Sequence, residues 1–109
     1  MKSSLLNHTV VEFQSAEHLE LRLRQILDTS DEFYENAAKL GMLRYTIAKI
    51  WNKKESHKLC FTFEYADEDA FKNCQVFIED WHKTQNVSSM PRKVYANRGV
   101  IIADYVSDD

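Results

Sequence analysis

The chain has 109 residues and a mass of 12.8 kDa, so one domain spanning residues 1–109 is expected and a second hydrophobic core is excluded. Hydrophobic residues make up 44% of the chain and charged residues 28%, a composition that excludes disordered and membrane-spanning proteins. The net charge of −3 argues against a general binder of nucleic acids or anionic membranes, because such proteins depend on clustered lysine and arginine.

No secretory signal is predicted, because polar residues directly follow the first leucine pair. The longest apolar runs, such as residues 100–103, are far shorter than the ~20 residues of a membrane span. A cytoplasmic protein is therefore expected. In a reducing cytoplasm, Cys60 and Cys74 are predicted to be free thiols.

The first half of the chain predicts a short strand over residues 9–13, after a loose segment 1–6, and then a helix. Ser15 is a typical helix N-cap, and apolar residues follow it at helical spacing. These are Leu19, Leu23, Ile26 and Leu27. Thr29 and Glu32 then form a capping-box pattern. The apolar stripe continues at Phe33, Ala37 and Leu40, and Gly41 can end it. The pattern leaves open a second short helix or a kinked continuation of the first.

Residues 42–51 and 59–65 alternate with a period of two, which predicts an antiparallel hairpin. The aromatic sides must coincide if one face is buried, and a pairing in which opposite positions sum to about 110 achieves this. That pairing sets Ile47 opposite Phe63, Tyr45 opposite Tyr65 and Thr46 opposite Glu64, with Arg44 diagonal to Glu64. One face of the hairpin is then apolar and the other polar.

Asp67 is the predicted N-cap of the longest helix, which should stop near Gln85, before a loop over residues 86–90 and Pro91. Its apolar stripe comprises Ala70, Phe71, Cys74, Phe77, Ile78 and Trp81. Residues 93–96 and 100–106 then predict strand segments, separated at residues 97–99 by a tight hairpin or by a bulge in one long strand.

The predicted order of elements is that of a ferredoxin-like split β-α-β fold of the α+β class, with helices covering one face of an antiparallel sheet. The other face, which is only partly apolar, must then meet solvent, a ligand or a second subunit.

The segment Phe-Thr-Phe-Glu-Tyr-Ala-Asp-Glu-Asp-Ala-Phe, residues 61–71, resembles the strand-to-helix passage of the dimeric α+β barrel proteins. That group includes antibiotic-biosynthesis-type monooxygenases and stress-responsive barrel proteins. The resemblance implies a homodimer in which two sheets close into a shared barrel, and a cavity for a small, often aromatic ligand. It also implies cofactor-free oxygenase or isomerase chemistry if the protein is an enzyme. Enzymes of the group often carry a histidine early in this helix, whereas residues 72–75 have none and His82 comes two turns later. This departure counts against monooxygenase activity and leaves the fold expectation unchanged.

The sequence has no Cys-x-x-Cys motif, no His-x-x-x-His motif and no glycine-rich phosphate loop, so neither a metal nor a nucleotide cofactor is expected. The four histidines, His8, His18, His57 and His82, are scattered. Cys74 and His82 lie about 12 Å apart along one helix, too far for a nucleophile and base. No catalytic residue is assigned.

The predicted ligand site lies on the polar face of the hairpin, because a charge pair in mid-strand can orient a polar ligand inside a closed barrel. It comprises Arg44, Thr46, Thr62 and Glu64, with Trp51 and Tyr95 at its mouth. A solvated cross-strand ion pair and ordinary aromatic packing are the alternative interpretations.

The leading hypothesis is thus a small cytoplasmic homodimer that binds a small, partly apolar molecule without nucleic acid or membrane partners. The alternative is a protein-interaction module, toxin-neutralising or regulatory, that uses the polar sheet face or an acidic rim at residues 64–69.

Overall fold

A computed structural model describes residues 2–85 and 91–107, and the predicted loop over residues 86–90 lies outside the described residues. Within the described ranges the chain forms four strands and two helices. In chain order these are β1 (Leu5–Phe13), α1 (Ala16–Lys39), β2 (Met42–Lys49), β3 (His57–Tyr65), α2 (Glu68–Thr84) and β4 (Arg92–Val100). The strands pair antiparallel in the order β2-β3-β1-β4, with the helices on one face. The predicted ferredoxin-like α+β fold is confirmed.

Helix α1 is continuous, so the predicted second start at Thr29 is not used. The Ser15 hydroxyl caps the helix by accepting a hydrogen bond from the His18 backbone N–H at 3.1 Å. The helix passes through Thr29 without interruption because Phe33, seven residues or about two turns after Ile26, continues the same apolar face. The buried members of this stripe are Leu19, Phe33 and Ala37.

Strand β1 is longer than predicted, because Leu5 and Leu6 belong to it rather than to a loose segment. Leu5 pairs with Tyr65 of β3 on one side and with Val100 of β4 on the other. A central strand that is bonded along both edges extends as far as its neighbours do, even where its own sequence carries a weak signal.

Strand β4 runs unbroken through residues 97–99, which corrects both predicted alternatives, the hairpin and the bulge. Asn97, Arg98 and Gly99 pair in register with residues 6–8 of β1. The predicted strand over residues 100–106 is also wrong beyond Val100, where β4 ends. The last hydrogen bond of this pairing runs from the Ile101 N–H to the Ser4 carbonyl.

The β2–β3 register differs from the prediction by two residues. Ile47 lies opposite Phe61 and Tyr45 opposite Phe63, and Arg44 is directly opposite Glu64 rather than diagonal to it. The strand β3 begins at His57, earlier than predicted, so the centre of the connecting loop shifts. A slip of two residues preserves the faces, and the aromatic side of the hairpin is the buried one.

The core lies between the helices and this aromatic side, and its fully buried side chains include Tyr65, Met42, Leu59 and Cys74. Cys74 is a free thiol on α2, and burial raises its pKa, as expected of a packing residue. Cys60 is also a free thiol. At the α1–β2 turn, Gly41 has a φ of +106°, and an added Cβ there would lie 2.4 Å from the Cβ of Ala70.

This close approach predicts that two glycines differ in their tolerance of alanine. Gly41→Ala should lower the free energy of unfolding by about 2–4 kcal/mol, because it combines left-handed backbone strain with overpacking against Ala70. Gly99→Ala is the control, since its new methyl group would lie 4.0 Å from Leu6, and its effect should stay within about 1 kcal/mol. Urea denaturation measures both, and equal losses would contradict the assignment.

Candidate ligand-binding cavity

On the helix-facing side of the sheet, large side chains line β2 and β3, whereas the middle of β1 and β4 carries smaller ones. On β2 and β3 these side chains are Tyr45, Ile47, Phe61, Phe63 and Tyr65. On β1 and β4 they include Asn7, Thr9, Val11, Val94 and Ala96. The aromatic rings pack into the core with the helices, and Val11 joins them, whereas Asn7, Thr9 and Ala96 face the cavity. Space therefore remains between the helices and the β1–β4 half of the sheet.

This space is a partly enclosed cavity of about 400 Å³, a volume within the range of small-molecule sites. Small side chains of β1 and β4 form its floor, and the two helices form its roof. The helical contribution comes from Arg22, Ile26, Thr29, Ser30 and Phe33 of α1, and from Gln75, Ile78, Glu79, Trp81 and His82 of α2, with Gln85 just after it.

One wall of the cavity is aromatic. The rings of Tyr45 and Phe63 stack with centroids 5.0 Å apart and an interplanar angle of 7°. Phe33 of α1 packs on Tyr45 at 5.3 Å and on Trp81 of α2 at 5.6 Å. These contacts link both helices to the sheet, so the wall is held from three sides and offers a flat apolar surface to a ligand.

One end of the cavity is basic, because Arg22 of α1, His82 of α2 and Arg92 of β4 lie close enough to influence one another's protonation. Desolvation lowers the pKa of His82, and the positive charges of Arg22 and Arg92 lower it further. Burial also lowers the pKa of Arg22, with a further contribution from Arg92. Burial raises the pKa of the Tyr45 phenol to about 12, partly offset by Arg22, so this hydroxyl is a hydrogen-bond donor at neutral pH.

The sequence-predicted site residues lie on the other face of the sheet, away from the helices. Arg44 and Glu64 are Cα partners, and Thr46 is the partner of Thr62 one step further along the hairpin. Arg44 and Glu64 also line a shallow, open depression with Asp104 and other residues. Among the described residues, the ion pairs are Lys49–Glu20, Lys72–Glu68 and Lys83–Asp80, so none joins Arg44 to Glu64.

The structure does not bring Trp51 and Tyr95 together with these residues at one mouth. Trp51 lies in the β2–β3 loop and is 87% exposed. Tyr95 lies on β4 opposite Val10, and the strands β3 and β1 separate it from β2.

A histidine–cysteine contact that the sequence pattern does not reveal also lies on this open face. The Sγ atom of Cys60 is 2.9 Å from Nε2 of His8, across the β1–β3 pairing. The sequence pattern does not reveal this contact because His8 and Cys60 are 52 positions apart, and only the register of β1 and β3 brings them together. In residues 2–85 and 91–107, no cluster of three or more His, Cys, Asp or Glu side chains has the arrangement of a metal site. The described helices also include none long and apolar enough to cross a bilayer.

The fold and its cavity define a ferredoxin-like α+β protein with a ligand-sized space between helices and sheet. The chain belongs to the DUF6974 family, described as a domain of unknown function, whose model matches residues 2–101. No curated protein sequence matches it.

Solved structures share the fold. A dimeric ferredoxin-like protein from an uncultured marine organism is 26% identical, with a TM-score of 0.86 over 96% of this chain and 100% of that one. A second dimeric ferredoxin-like protein from an uncultured marine organism is 19% identical, with a TM-score of 0.81 over 95% of this chain and 100% of that one. The ActVA-Orf6 monooxygenase of Streptomyces coelicolor, solved with nanaomycin D, is 10% identical, with a TM-score of 0.67 over 97% of this chain and 94% of that one. The resemblance drawn from residues 61–71 is thus confirmed at the level of the fold.

The basic end of the cavity predicts a coupled titration. The His82 pKa should lie below its ordinary value of 6.5, and Arg22→Gln should raise it by removing a positive charge. NMR titration of the imidazole Cε1 proton measures the His82 pKa. The His82 pKa is higher in the unfolded chain than in the folded one, so at acidic pH the unfolded chain binds more protons. The free energy of unfolding should therefore fall as the pH drops below 6.5, and His82→Gln should remove the part of this fall that His82 causes. Arg24→Gln, an exposed change on the same helix, is the control. An unchanged His82 pKa in Arg22→Gln would contradict the assignment.

Proposed function

We propose that the protein is a homodimer in which each subunit binds a small, partly apolar molecule in the cavity between its helices and its sheet. The observation that carries the proposal is the cavity of about 400 Å³ with the Tyr45–Phe63 stack as its wall. Protein interiors are otherwise packed to the density of organic crystals, so an apolar space of this size in a small domain is best explained by a ligand.

The structural relatives support this proposal without carrying it. The S. coelicolor monooxygenase has the same fold and was solved in complex with a ligand, nanaomycin D. Its identity of 10% supports the fold alone, so the proposal depends on the lining of this chain's own cavity. The proposal is one of binding and assigns no catalytic group.

The open face of the sheet, together with the C-terminal segment at residues 101–107, is the proposed contact with the second subunit. This segment leaves β4 after the Ile101–Ser4 bond, and Asp104 and Val106 line the same depression as Arg44 and Glu64. Ile102 is 97% exposed and Val106 is 78% exposed, although both are apolar. Large apolar side chains exposed within one short segment favour an association surface, and the relative at 26% identity is described as dimeric. In the dimer, Arg44, Thr46, Thr62 and Glu64 face the partner, and their role as ligand groups stays a prediction.

Filling the cavity should abolish ligand binding. N-phenyl-1-naphthylamine, an uncharged aromatic probe whose fluorescence rises in apolar surroundings, should bind the native protein. Ala96→Trp should weaken this binding at least about tenfold, because the indole occupies space on the cavity floor. Ala38→Trp makes the same change on the exposed side of α1 and should leave binding unaltered. A probe that binds both variants equally is not in the cavity, and the proposal would then fail.

The dimer is tested by light scattering after size-exclusion chromatography across a dilution series. The mass should be twice 12.8 kDa. Ile102→Asp should shift the equilibrium towards monomer at least about tenfold, because it would bury a charge at the contact. Val76→Asp, at a 61% exposed position on α2, is the control and should leave the mass unchanged. A native chain that is monomeric at every concentration would overturn the dimer.

A further inference from the structure

The cavity has a charge balance opposite to that of the whole chain. The chain carries a net charge of −3. Among the described lining residues, however, four are basic and one, Glu79, is a carboxylate. The basic ones are Arg22, His82, Arg92 and Arg98. A cleft lined mainly by positive groups attracts anions, even in a protein of negative net charge.

Three of these groups converge at one end although they belong to three different elements. Arg22 lies in the second turn of α1, His82 in the last turn of α2, and Arg92 is the first residue of β4. Helix propensity or capping accounts at most for His82, which suits the C-terminal end of its helix dipole. Burial lowers the pKa of both Arg22 and His82, and the neighbouring positive charges lower it further, as expected where like charges approach one another.

Arg22 is the clearest of the three, because it is half-buried and faces the cavity without a carboxylate partner. Its hydrogen bond runs from Nη1 to the Oε1 atom of Gln25 at 3.5 Å, which is long and ends on a neutral acceptor. None of the ion pairs in the described part of the chain includes Arg22. A guanidinium presents several N–H donors in a fixed plane that matches a carboxylate, phosphate or sulfonate.

We propose that the ligand is an amphipathic organic anion, with its ring system on the Tyr45–Phe63 stack and its anionic group between Arg22, His82 and Arg92. This inference deepens the proposed function and depends on it. The Tyr45 hydroxyl, which remains protonated, is a further donor beside Arg22. Arg98 is engaged elsewhere, because its guanidinium lies over the ring of Phe71, 5.1 Å from the centroid.

The test compares two probes with the same aromatic body. 8-Anilinonaphthalene-1-sulfonate carries a permanently ionised sulfonate, and N-phenyl-1-naphthylamine is its uncharged counterpart. The sulfonate should bind at least about tenfold more tightly, since a hydrogen bond to a charged group contributes about one power of ten or more. Ala96→Trp should remove both from the cavity, which separates binding there from adsorption to exposed apolar groups.

Arg22→Gln should weaken sulfonate binding about tenfold or more and leave the neutral probe within about twofold, because only the charged ligand loses a partner. Arg24→Gln, the same change on the exposed side of α1, should alter neither. A structural role of Arg22 would instead weaken both probes together, and circular dichroism would show whether the fold is retained.

The pH dependence of sulfonate binding tests whether the anionic group lies beside His82. The titratable and charged residues that line the cavity with His82 are Arg22 from α1, Arg92 and Arg98 from β4, Tyr45 from β2 and Glu79 from its own helix. Among these residues His82 is the imidazole, and the charge of an imidazole changes near neutral pH. Sulfonate affinity should therefore rise as the pH falls from about 7.5 to about 5.5, and His82→Gln should make it flat. The neutral probe should show no such rise.

The outcomes separate the two proposals. If neither probe enters the cavity, the proposed function fails and the anion inference fails with it. If the neutral probe binds in the cavity as tightly as the sulfonate, or Arg22→Gln affects both equally, the anion inference is overturned while the proposed binding function stands.

Discussion

The difference in side-chain size across the helix-facing side of the sheet determines the rest of the structure. Aromatic rings on β2 and β3 fill the space beneath α1 and α2 and hold the helices at their height above the sheet. Thr9 and Ala96, which lie side by side on β1 and β4, are too short to reach helices held at that height. A core reaches native density only where opposing side chains match in size, so the cavity follows from the choice of residues on the strands.

The two faces of the sheet therefore differ in chemistry. The helix-covered face contains the aromatic wall and, at one end, basic groups that three separate elements contribute. The open face carries paired threonines, charges of both signs and the C-terminal segment at residues 101–107. Because alternate residues of every strand point to opposite faces, the chain can vary one face without changing the other.

Local patterns predict most of the fold, and non-local packing limits the prediction of the site. Alternation and helix caps predict the elements and their faces, because these depend on neighbouring residues; Ser15 and Asp67 cap the helices as expected. Face parity does not distinguish two registers that differ by two residues, which is why Ile47 lies opposite Phe61 and not opposite the predicted Phe63. The cavity is not predictable in this way, because its floor depends on how β1 and β4 pair and on relative side-chain volumes. A pattern-based search selects conspicuous mid-strand charges on the open face and overlooks a helix arginine such as Arg22.

The central position of β1 has a consequence for the order in which the chain folds. This strand precedes the other three in the sequence, and both of its neighbours come later: Tyr65 of β3 pairs with Leu5, and Val100 of β4 pairs with the same residue on the other side. The β2–β3 hairpin is local and can form early, whereas completing the sheet requires Leu5 to pair with Val100, 95 positions later in the sequence. One edge of β1 can pair once β3 is present, but its other edge stays unpaired until β4 follows α2, and the β1–β4 pairing spans the largest sequence separation in the sheet.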